Sequence, residues 1–122
     1  MSDGEETWDV EYYETESGRS PVFEWLREMG DEDQALALGY IEQLARLGME
    51  AQRPLVRQLE GKLYELRWRD RRSQRRIAYF AASGRRFVLV HGFTKKQQKT
   101  PKRELDTARK RMRDHERRSG RR

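Results

Sequence analysis

An alternation of apolar and polar residues marks the first predicted element of this chain. Between Thr7 and Tyr13, the side chains of Trp8, Val10 and Tyr12 occupy every second position. A period of two is typical of a half-buried strand. The chain is therefore predicted to begin with a strand that has one face against a core.

Two helices are predicted to follow. Ser20 and Pro21 form the pattern of an N-cap followed by proline in the first turn, and Gly30 ends this helix. Apolar residues then recur at helical spacing from Leu36 until Gly48, which predicts a longer second helix. Neither helix carries a residue that indicates chemistry, so we expect an αα-hairpin that serves packing.

The second half of the chain predicts a sheet and a final helix. Three short runs with strand character are separated by turn signals, and Ser83-Gly84 favours a hairpin between the last two. A helix is predicted after Thr100-Pro101, with Leu105, Ala108 and Met112 on a narrow apolar stripe. The predicted strands are 63–69, 75–82 and 86–93.

The element order β-α-α-β-β-β-α predicts an α+β fold, in which a mainly antiparallel sheet carries helices, including the αα-hairpin, on one face. We expect a single domain over residues 7–115, with residues 1–6 and 116–122 as disordered tails.

Alternation along the predicted strands assigns residues to the face that the helices leave open. If Tyr64, Leu66 and Trp68 face the core with Ile77, Tyr79, Val88 and Val90, the intervening residues face the other way. This single assignment of alternate residues thereby places a mainly charged set on the open face. That set is Glu65, Arg67, Arg69, Arg76, His91 and Phe93, with Leu89 among them and Lys95, Lys96 and Lys99 on the segment that follows.

This set suits a phosphodiester. Arginine side chains bind phosphate oxygens in pairs, and positive charge stabilises the phosphorus centre when a neighbouring 2′-hydroxyl attacks it. His91 and Phe93 could stack an unpaired base. Two isolated histidines and the lack of paired carboxylates at ligand spacing predict no metal and no cofactor.

Each of these residues also has a structural interpretation. Arg67 and Arg69 could be ordinary solvated strand charges, and Arg76 could simply pair with Glu65. A lone histidine such as His91 is usually a hydrogen-bonded structural residue. Lys95, Lys96 and Lys99 could be plain solvated charge, although their place beside the open face favours phosphate contact for Lys95.

Charge is distributed unevenly along the 122 residues, of which 39% are charged. Residues 1–60 hold 5 Lys/Arg against 15 Asp/Glu, whereas residues 61–122 hold 22 Lys/Arg against 6 Asp/Glu. The basic half predicts contact with a polyanion, and nucleic acid fits best. The alternative is that the two halves neutralise each other within one fold.

Several classes of protein are excluded by composition. The chain has no cysteine, so disulfide and thiolate chemistry are excluded. It also has no run of about 18 apolar residues, and its first six residues are acidic, which argues against a membrane span or signal peptide. We expect a soluble cytoplasmic protein without a membrane partner.

Two stretches resemble HigB-like toxins, the phage-derived branch of the RelE/ParE toxin superfamily. The first is Leu63-Tyr64-Glu65-Leu66-Arg67-Trp68, and the second runs from Val90-His91-Gly92-Phe93-Thr94-Lys95 through Lys99-Thr100-Pro101-Lys102. Arg76, three residues before Tyr79, matches the usual arginine at the start of the third strand. The similarity extends from about Trp8 to Asp114, and the lysine-rich second stretch is its most specific part.

The resemblance implies a type II toxin that enters the ribosomal A site, cleaves mRNA there and thereby inhibits translation. It also implies a helix-turn-helix, HigA-like antitoxin as partner. By position, the catalytic set is Arg67, Arg76 and Lys95, and His91 and Lys96 also match the motif. Together with the other residues that alternation places on or beside the open face, they form the expected RNA-binding set: Glu65, Arg69, His91, Phe93, Lys96 and Lys99. The general base stays open among His91, Glu65 and a lysine with a lowered pKa.

Two other functions remain open. One is a ParE-like inhibitor that binds DNA gyrase and cleaves nothing, although the stretch over residues 90–102 argues against it. The other is a basic RNA-binding module without catalysis.

Overall fold

A five-stranded sheet organises the fold. The computed structural model describes residues 7–96 and 99–120. The strands are β1 (Asp9–Tyr12), β2 (Val56–Glu60), β3 (Leu63–Arg69), β4 (Gln74–Ala82) and β5 (Arg86–Lys95). Their spatial order is β1-β5-β4-β3-β2, with β1 parallel to β5 and all other neighbours antiparallel. The predicted α+β class with a mainly antiparallel sheet is confirmed.

Three helices pack on this sheet: α1 (Pro21–Arg27), α2 (Asp31–Leu47) and α3 (Lys102–Ser119). Ser20 is the N-cap of α1 and proline occupies its first position, as predicted. Gly48 ends α2 with a φ of +61°, which side-chain-bearing residues rarely adopt. None of the described helices has the length and apolar character needed to cross a membrane.

The larger core lies between the αα-hairpin and one face of the sheet. Apolar side chains of α1 and α2 pack on alternate residues of the strands. Its buried members include Val22, Leu26, Ile41 and Leu44 from the helices, and Leu66, Trp68, Ile77, Tyr79, Phe87 and Leu89 from the sheet. This confirms the hairpin as a packing element.

The other face of the sheet is not left open, which corrects the prediction that helices cover one face only. Ala108, Leu105 and Met112 of α3 pack there on strand residues such as Phe80 and Val88. The apolar stripe of α3 is narrow, so the sequence did not predict that this helix covers a face of the sheet. Polar contacts supply much of the attachment. Tyr13 Oη, for example, donates to Asp114 Oδ2 at 2.6 Å.

Strand β5 contains a bulge, so the residues before it face the sides opposite to those predicted. Ala78 pairs with His91, but Tyr79 pairs with Leu89, so Val90 is an additional residue in β5. Val88 and Val90 consequently face α3, and Leu89 faces the hairpin, opposite to the prediction. Beyond the bulge the predicted parity is correct, and Phe93 lies opposite Arg76 on the α3 side.

Strand β2 was not predicted from the sequence. A register irregularity between Gln58 and Glu60 breaks the alternation that would have revealed it. The signal that remains is Gly61-Lys62, a two-residue hairpin loop in which Gly61 has a φ of +52°.

The end of α3 also differs from the prediction. The helix continues through Ser119, so residues 116–119, which the sequence placed in a disordered tail, are helical. Residues 1–6 and 121–122 lie outside the described residues.

Candidate active site

A fully buried carboxylate lies at the centre of the charged residues on the α3 side of the sheet. Glu65 of β3 is 0% exposed. Its Oε2 lies 3.2 Å from Nη2 of Arg57 on β2 and 3.6 Å from Nε of Arg76 on β4. A buried charge requires such partners, because desolvation otherwise makes it very unfavourable. Glu65 therefore acts as an internal counter-ion.

Thr100 completes the contacts of this carboxylate from the segment before α3. Its Oγ1 donates a hydrogen bond to Glu65 Oε1 at 3.0 Å. The same oxygen accepts a hydrogen bond from Nη2 of Arg57 at 3.1 Å. Oε1 of Glu65 is thus hydrogen-bonded within the protein, whereas Oε2 has no hydrogen-bond partner and makes only the ion-pair contacts with Arg57 and Arg76.

Three cations surround Glu65 besides Arg57, and the sheet register explains why they meet. Arg67 of β3 lies opposite Arg76 of β4, and Lys95 at the end of β5 lies opposite Gln74 of β4. Directly opposite residues on neighbouring strands project from the same face. The three residues that the sequence assigned to catalysis are therefore brought together. We call Arg57, Arg67, Arg76 and Lys95, with Glu65, the cation cluster.

Burial changes the acid-base properties of the cluster. Only 4% of Arg76 and 4% of Lys95 are exposed. Burial and the neighbouring guanidinium groups of Arg76, Arg57 and Arg67 lower the pKa of Lys95, against the opposing effect of Glu65. Burial also lowers the pKa of Arg76, although guanidinium stays charged at any biological pH. Lys95 is thus the cation of the cluster that releases a proton most readily.

Two buried donors of the cluster lack hydrogen-bond partners. They are Nε of Arg67 and Nε of Arg76. The other nitrogens of Arg76 are engaged, with Nη1 donating to the Arg75 carbonyl at 2.9 Å and Nη2 to Gln74 Oε1 at 3.0 Å. Four cations around one carboxylate, with donors left over, make a site that favours an anion with several acceptor oxygens.

His91 is engaged by α3. Nη1 of Arg111 lies 3.1 Å from its Nδ1, and Oε1 of Glu104 lies 2.6 Å from its Nε2. Arginine can only donate, so Nδ1 is the acceptor and the proton resides on Nε2. Burial lowers the pKa of His91 despite the hydrogen bond to Glu104. His91 is therefore a neutral imidazole with both nitrogens occupied.

The remaining predicted site residues lie around the cluster. Phe93 is 5% exposed and stacks on His91 with ring centroids 5.3 Å apart, so its ring presents little surface to a base. Arg69, Lys96 and Lys99 are exposed. Gln97 and Gln98, between the two lysines, lie outside the described residues.

Two members of the site were not identified from the sequence. Arg57 lies on β2, the strand whose alternation is interrupted, so its side of the sheet could not be predicted. Thr100 lies within Lys99-Thr100-Pro101, a stretch whose pattern predicted only the start of a helix. Its short polar side chain is the signal that could have indicated a buried hydrogen bond.

Comparison with known families connects this site to a class of proteins. The model of the family described as phage derived protein Gp49-like (DUF891) matches residues 24–113. The chain belongs to the Gp49-like family. Comparison with curated protein sequences gives no match.

The Gp49-like family belongs to the RelE/HigB-type toxin group and is associated with toxins of toxin–antitoxin systems. The match includes every member of the cation cluster and Thr100, whereas β1 and the end of α3 lie outside it. Membership in a toxin family implies an antitoxin partner.

Proposed function

We propose that this Gp49-like protein is the toxin of a type II toxin–antitoxin system and acts as a ribosome-dependent mRNA endonuclease. The observation that carries the proposal is the cation cluster, in which two buried arginine donors and a lysine of lowered pKa share one anion site. A phosphodiester matches that site in charge and in the number of its acceptor oxygens. Cytoplasmic mRNA in the ribosomal A site is the proposed substrate, and a HigA-like antitoxin is the proposed partner.

The proposed reaction is an intramolecular transesterification. The 2′-hydroxyl loses its proton to water as its oxygen attacks the adjacent phosphorus, the bond from phosphorus to the 5′-oxygen breaks, and a 2′,3′-cyclic phosphate and a 5′-hydroxyl result. Arg67 and Arg76 hold the phosphate and stabilise the negative charge that grows on it. Lys95 protonates the leaving 5′-oxygen, a role that its lowered pKa favours. The nucleophile comes from the substrate, so the proposed route needs no metal ion.

Two candidates for the general base are disfavoured by the geometry. Glu65 is fully buried, with its oxygens directed to Thr100, Arg57 and Arg76. His91 uses the lone pair of Nδ1 to accept from Arg111. Neither group is placed to take the proton of a 2′-hydroxyl, so we assign both to the support of the site.

A substrate change tests the mechanism. An RNA with 2′-deoxyribose at the scissile position lacks the nucleophile, so we expect it to bind but to resist cleavage. Cleavage is measured on free RNA and on mRNA in translating ribosomes, because ribosome dependence predicts much faster cleavage in the second case. Equal cleavage of the ribose and deoxyribose substrates would refute the mechanism.

Substitutions in the cluster test the assignment of residues. We expect Arg76→Ala and Lys95→Ala to lower RNA cleavage by about 100-fold or more, whereas affinity for the deoxy substrate falls far less. Arg46→Ala is the matched control, since Arg46 makes an exposed ion pair with Glu42 on α2. Mapping of RNA 5′ ends after induction distinguishes this activity from gyrase inhibition, which damages DNA and leaves mRNA intact.

A further inference from the structure

Three separate parts of the chain meet at the Glu65 carboxylate, one of which is the strand that carries it. Arg57 comes from β2, Glu65 from β3, and Thr100 from the segment between β5 and α3. The hydroxyl of Thr100 lies between the other two, accepting from Arg57 at 3.1 Å and donating to Glu65 at 3.0 Å. A threonine hydroxyl has one proton to donate, so these two contacts fix its orientation.

The position of the Glu65 carboxylate affects the neighbouring cations, Lys95 and Arg76. Among the described residues, Glu65 is the acid whose charge acts on both Lys95 and Arg76. As long as Thr100 and Arg57 engage the carboxylate, it is not drawn into a closer pair with either of these cations. A buried acceptor that loses its donor turns towards the nearest replacement, because an unsatisfied buried charge is strongly unfavourable. Besides Arg57, the replacements available here are Arg76, whose Nε lies 3.6 Å from Glu65 Oε2, and Lys95, on which the charge of Glu65 acts.

We propose that Thr100 and Arg57 are positioning residues, which hold the Glu65 carboxylate so that Lys95 and Arg76 stay directed towards the scissile phosphate. The inference rests on the proposed function and adds two residues to its site. Without the Thr100 hydroxyl, Glu65 Oε1 pairs with Lys95 or Arg76, and that cation is withdrawn from the phosphate. Neither Thr100 nor Arg57 needs to touch the reacting atoms for this effect.

Paired substitutions separate the hydroxyl from the bulk of the side chain. Thr100→Val removes the hydroxyl and keeps the shape, whereas Thr100→Ser keeps the hydroxyl. We expect Thr100→Val to lower the single-turnover cleavage rate about tenfold or more, with less than about a twofold change in affinity for the 2′-deoxy RNA. Thr100→Ser is expected to cleave within about threefold of the wild type.

The matched control is Thr107→Val. The hydroxyl of Thr107 donates an exposed hydrogen bond to the Arg103 carbonyl within α3, so we expect its removal to leave cleavage unchanged. Arg57→Met, with Arg46→Met as its control, is expected to reproduce the loss seen in Thr100→Val. Wild-type cleavage by Thr100→Val, or equal impairment of Thr100→Ser and Thr100→Val, overturns the proposal.

A second measurement does not depend on cleavage. The side-chain resonances of Lys95, assigned by their loss in Lys95→Met, are titrated by NMR in the wild type and in Thr100→Val. Arg76, Arg57, Arg67 and Glu65 act on this lysine. If the carboxylate turns towards Lys95 in the variant, the pKa of Lys95 rises relative to the wild type. If it turns towards Arg76 and away from Lys95 instead, the pKa of Lys95 falls. An unchanged pKa contradicts the proposed positioning.

The two measurements also separate the inference from the proposed function. If the wild type cuts no RNA, the proposed function fails, while the NMR titration still decides whether Thr100 controls the carboxylate. If the wild type cuts RNA and Thr100→Val neither slows cleavage nor moves the titration of Lys95, only the positioning role fails.

Discussion

At the scale of the residue, the cations of the cluster suit the binding of an anion but destabilise the folded protein by repelling each other. Lys95 is almost fully buried beside Arg76, with Arg57 and Arg67 also acting on it. Like charges in a poorly solvated site repel each other, and a single carboxylate offsets only part of that repulsion. Such an arrangement is typical of a site that completes its electrostatics with a charged ligand.

The first prediction concerns Lys95→Met. Removal of the buried charge is expected to abolish RNA cleavage and to raise the free energy of unfolding at neutral pH by about 1 kcal/mol. Chemical denaturation measures the change. Lys96→Met is the matched control, because Lys96 is exposed and its substitution leaves stability nearly unchanged.

The pH dependence of this effect follows from the lowered pKa. Between the folded-state pKa of Lys95 and its usual value of about 10.4, the unfolded chain binds more protons than the folded chain. This group therefore makes the wild-type stability rise with pH through that window. The advantage of Lys95→Met should shrink there, and an advantage that grows with pH would contradict the assignment.

At the scale of the element, two contacts hold β5 between its neighbours. On one side α1 approaches so closely that a Cβ on Gly92 would lie 2.3 Å from Cε3 of Trp25. On the other side His91 binds Glu104 and Arg111 of α3. The bulge allows these contacts, because the additional residue Val90 shifts by one position which residues of β5 face each side of the sheet. As a result, His91 faces α3 and Gly92 faces α1.

Gly92→Ala tests the contact between α1 and β5. The new methyl group collides with the Trp25 ring, so we expect a loss of about 1–3 kcal/mol in the free energy of unfolding. Gly39→Ala in α2 is the control, since nothing lies within 4 Å of the added Cβ and alanine favours a helix. Thermal and urea unfolding compare the two, and equal stability of both variants would show that the Gly92 contact is unimportant.

His91→Leu tests the contact between β5 and α3. We expect the variant to lose about 1 kcal/mol or more at neutral pH, because Glu104 and Arg111 lose their shared partner. Since the folded-state pKa of His91 is lowered, the wild type loses stability as pH falls from about 6.5 towards that pKa. His91→Leu lacks this dependence. If plots of the free energy of unfolding against pH run parallel for the variant and the wild type over this range, the neutral imidazole is refuted.

At the scale of the whole molecule, the acidic and basic halves of the chain neutralise each other in part. Ion pairs such as Glu60–Arg109 and Asp33–Arg75 join residues 1–60 to residues 61–122. The interpretation that the two halves neutralise each other is therefore correct in part, whereas contact with a polyanion stays a prediction. The acidic half cannot match the whole positive surplus of the basic half, because the chain as a whole keeps a net charge of +6.

That surplus predicts salt-dependent RNA binding. The logarithm of the affinity for a single-stranded 2′-deoxy substrate should fall linearly with the logarithm of salt concentration, by about 0.7 for each phosphate contacted. Arg67→Met is expected to reduce the slope by about one contact, whereas Arg46→Met leaves it unchanged. Fluorescence anisotropy measures both, and a slope that Arg67→Met does not alter would remove Arg67 from the phosphate site.

Much of this molecule is determined by local sequence signals. Ser20-Pro21 begins α1, Gly48 ends α2, and the alternation in residues 63–69 predicts both the bounds of β3 and the side on which Glu65 and Arg67 lie. These features depend on proline in the first turn of a helix, on glycine conformation and on the period of a strand. Each acts over a few residues, so the sequence by itself reveals them.

Only the tertiary structure determines how the site is completed. Strand β2 with Arg57, the packing of α3 on the second face, and the contact of Thr100 with Glu65 all join residues distant in sequence. The bulge at Val90 likewise results from pairing with β4. Local pattern carries no information about which distant partner satisfies a buried charge. Such partners are selected by the burial and hydrogen bonding of the complete fold.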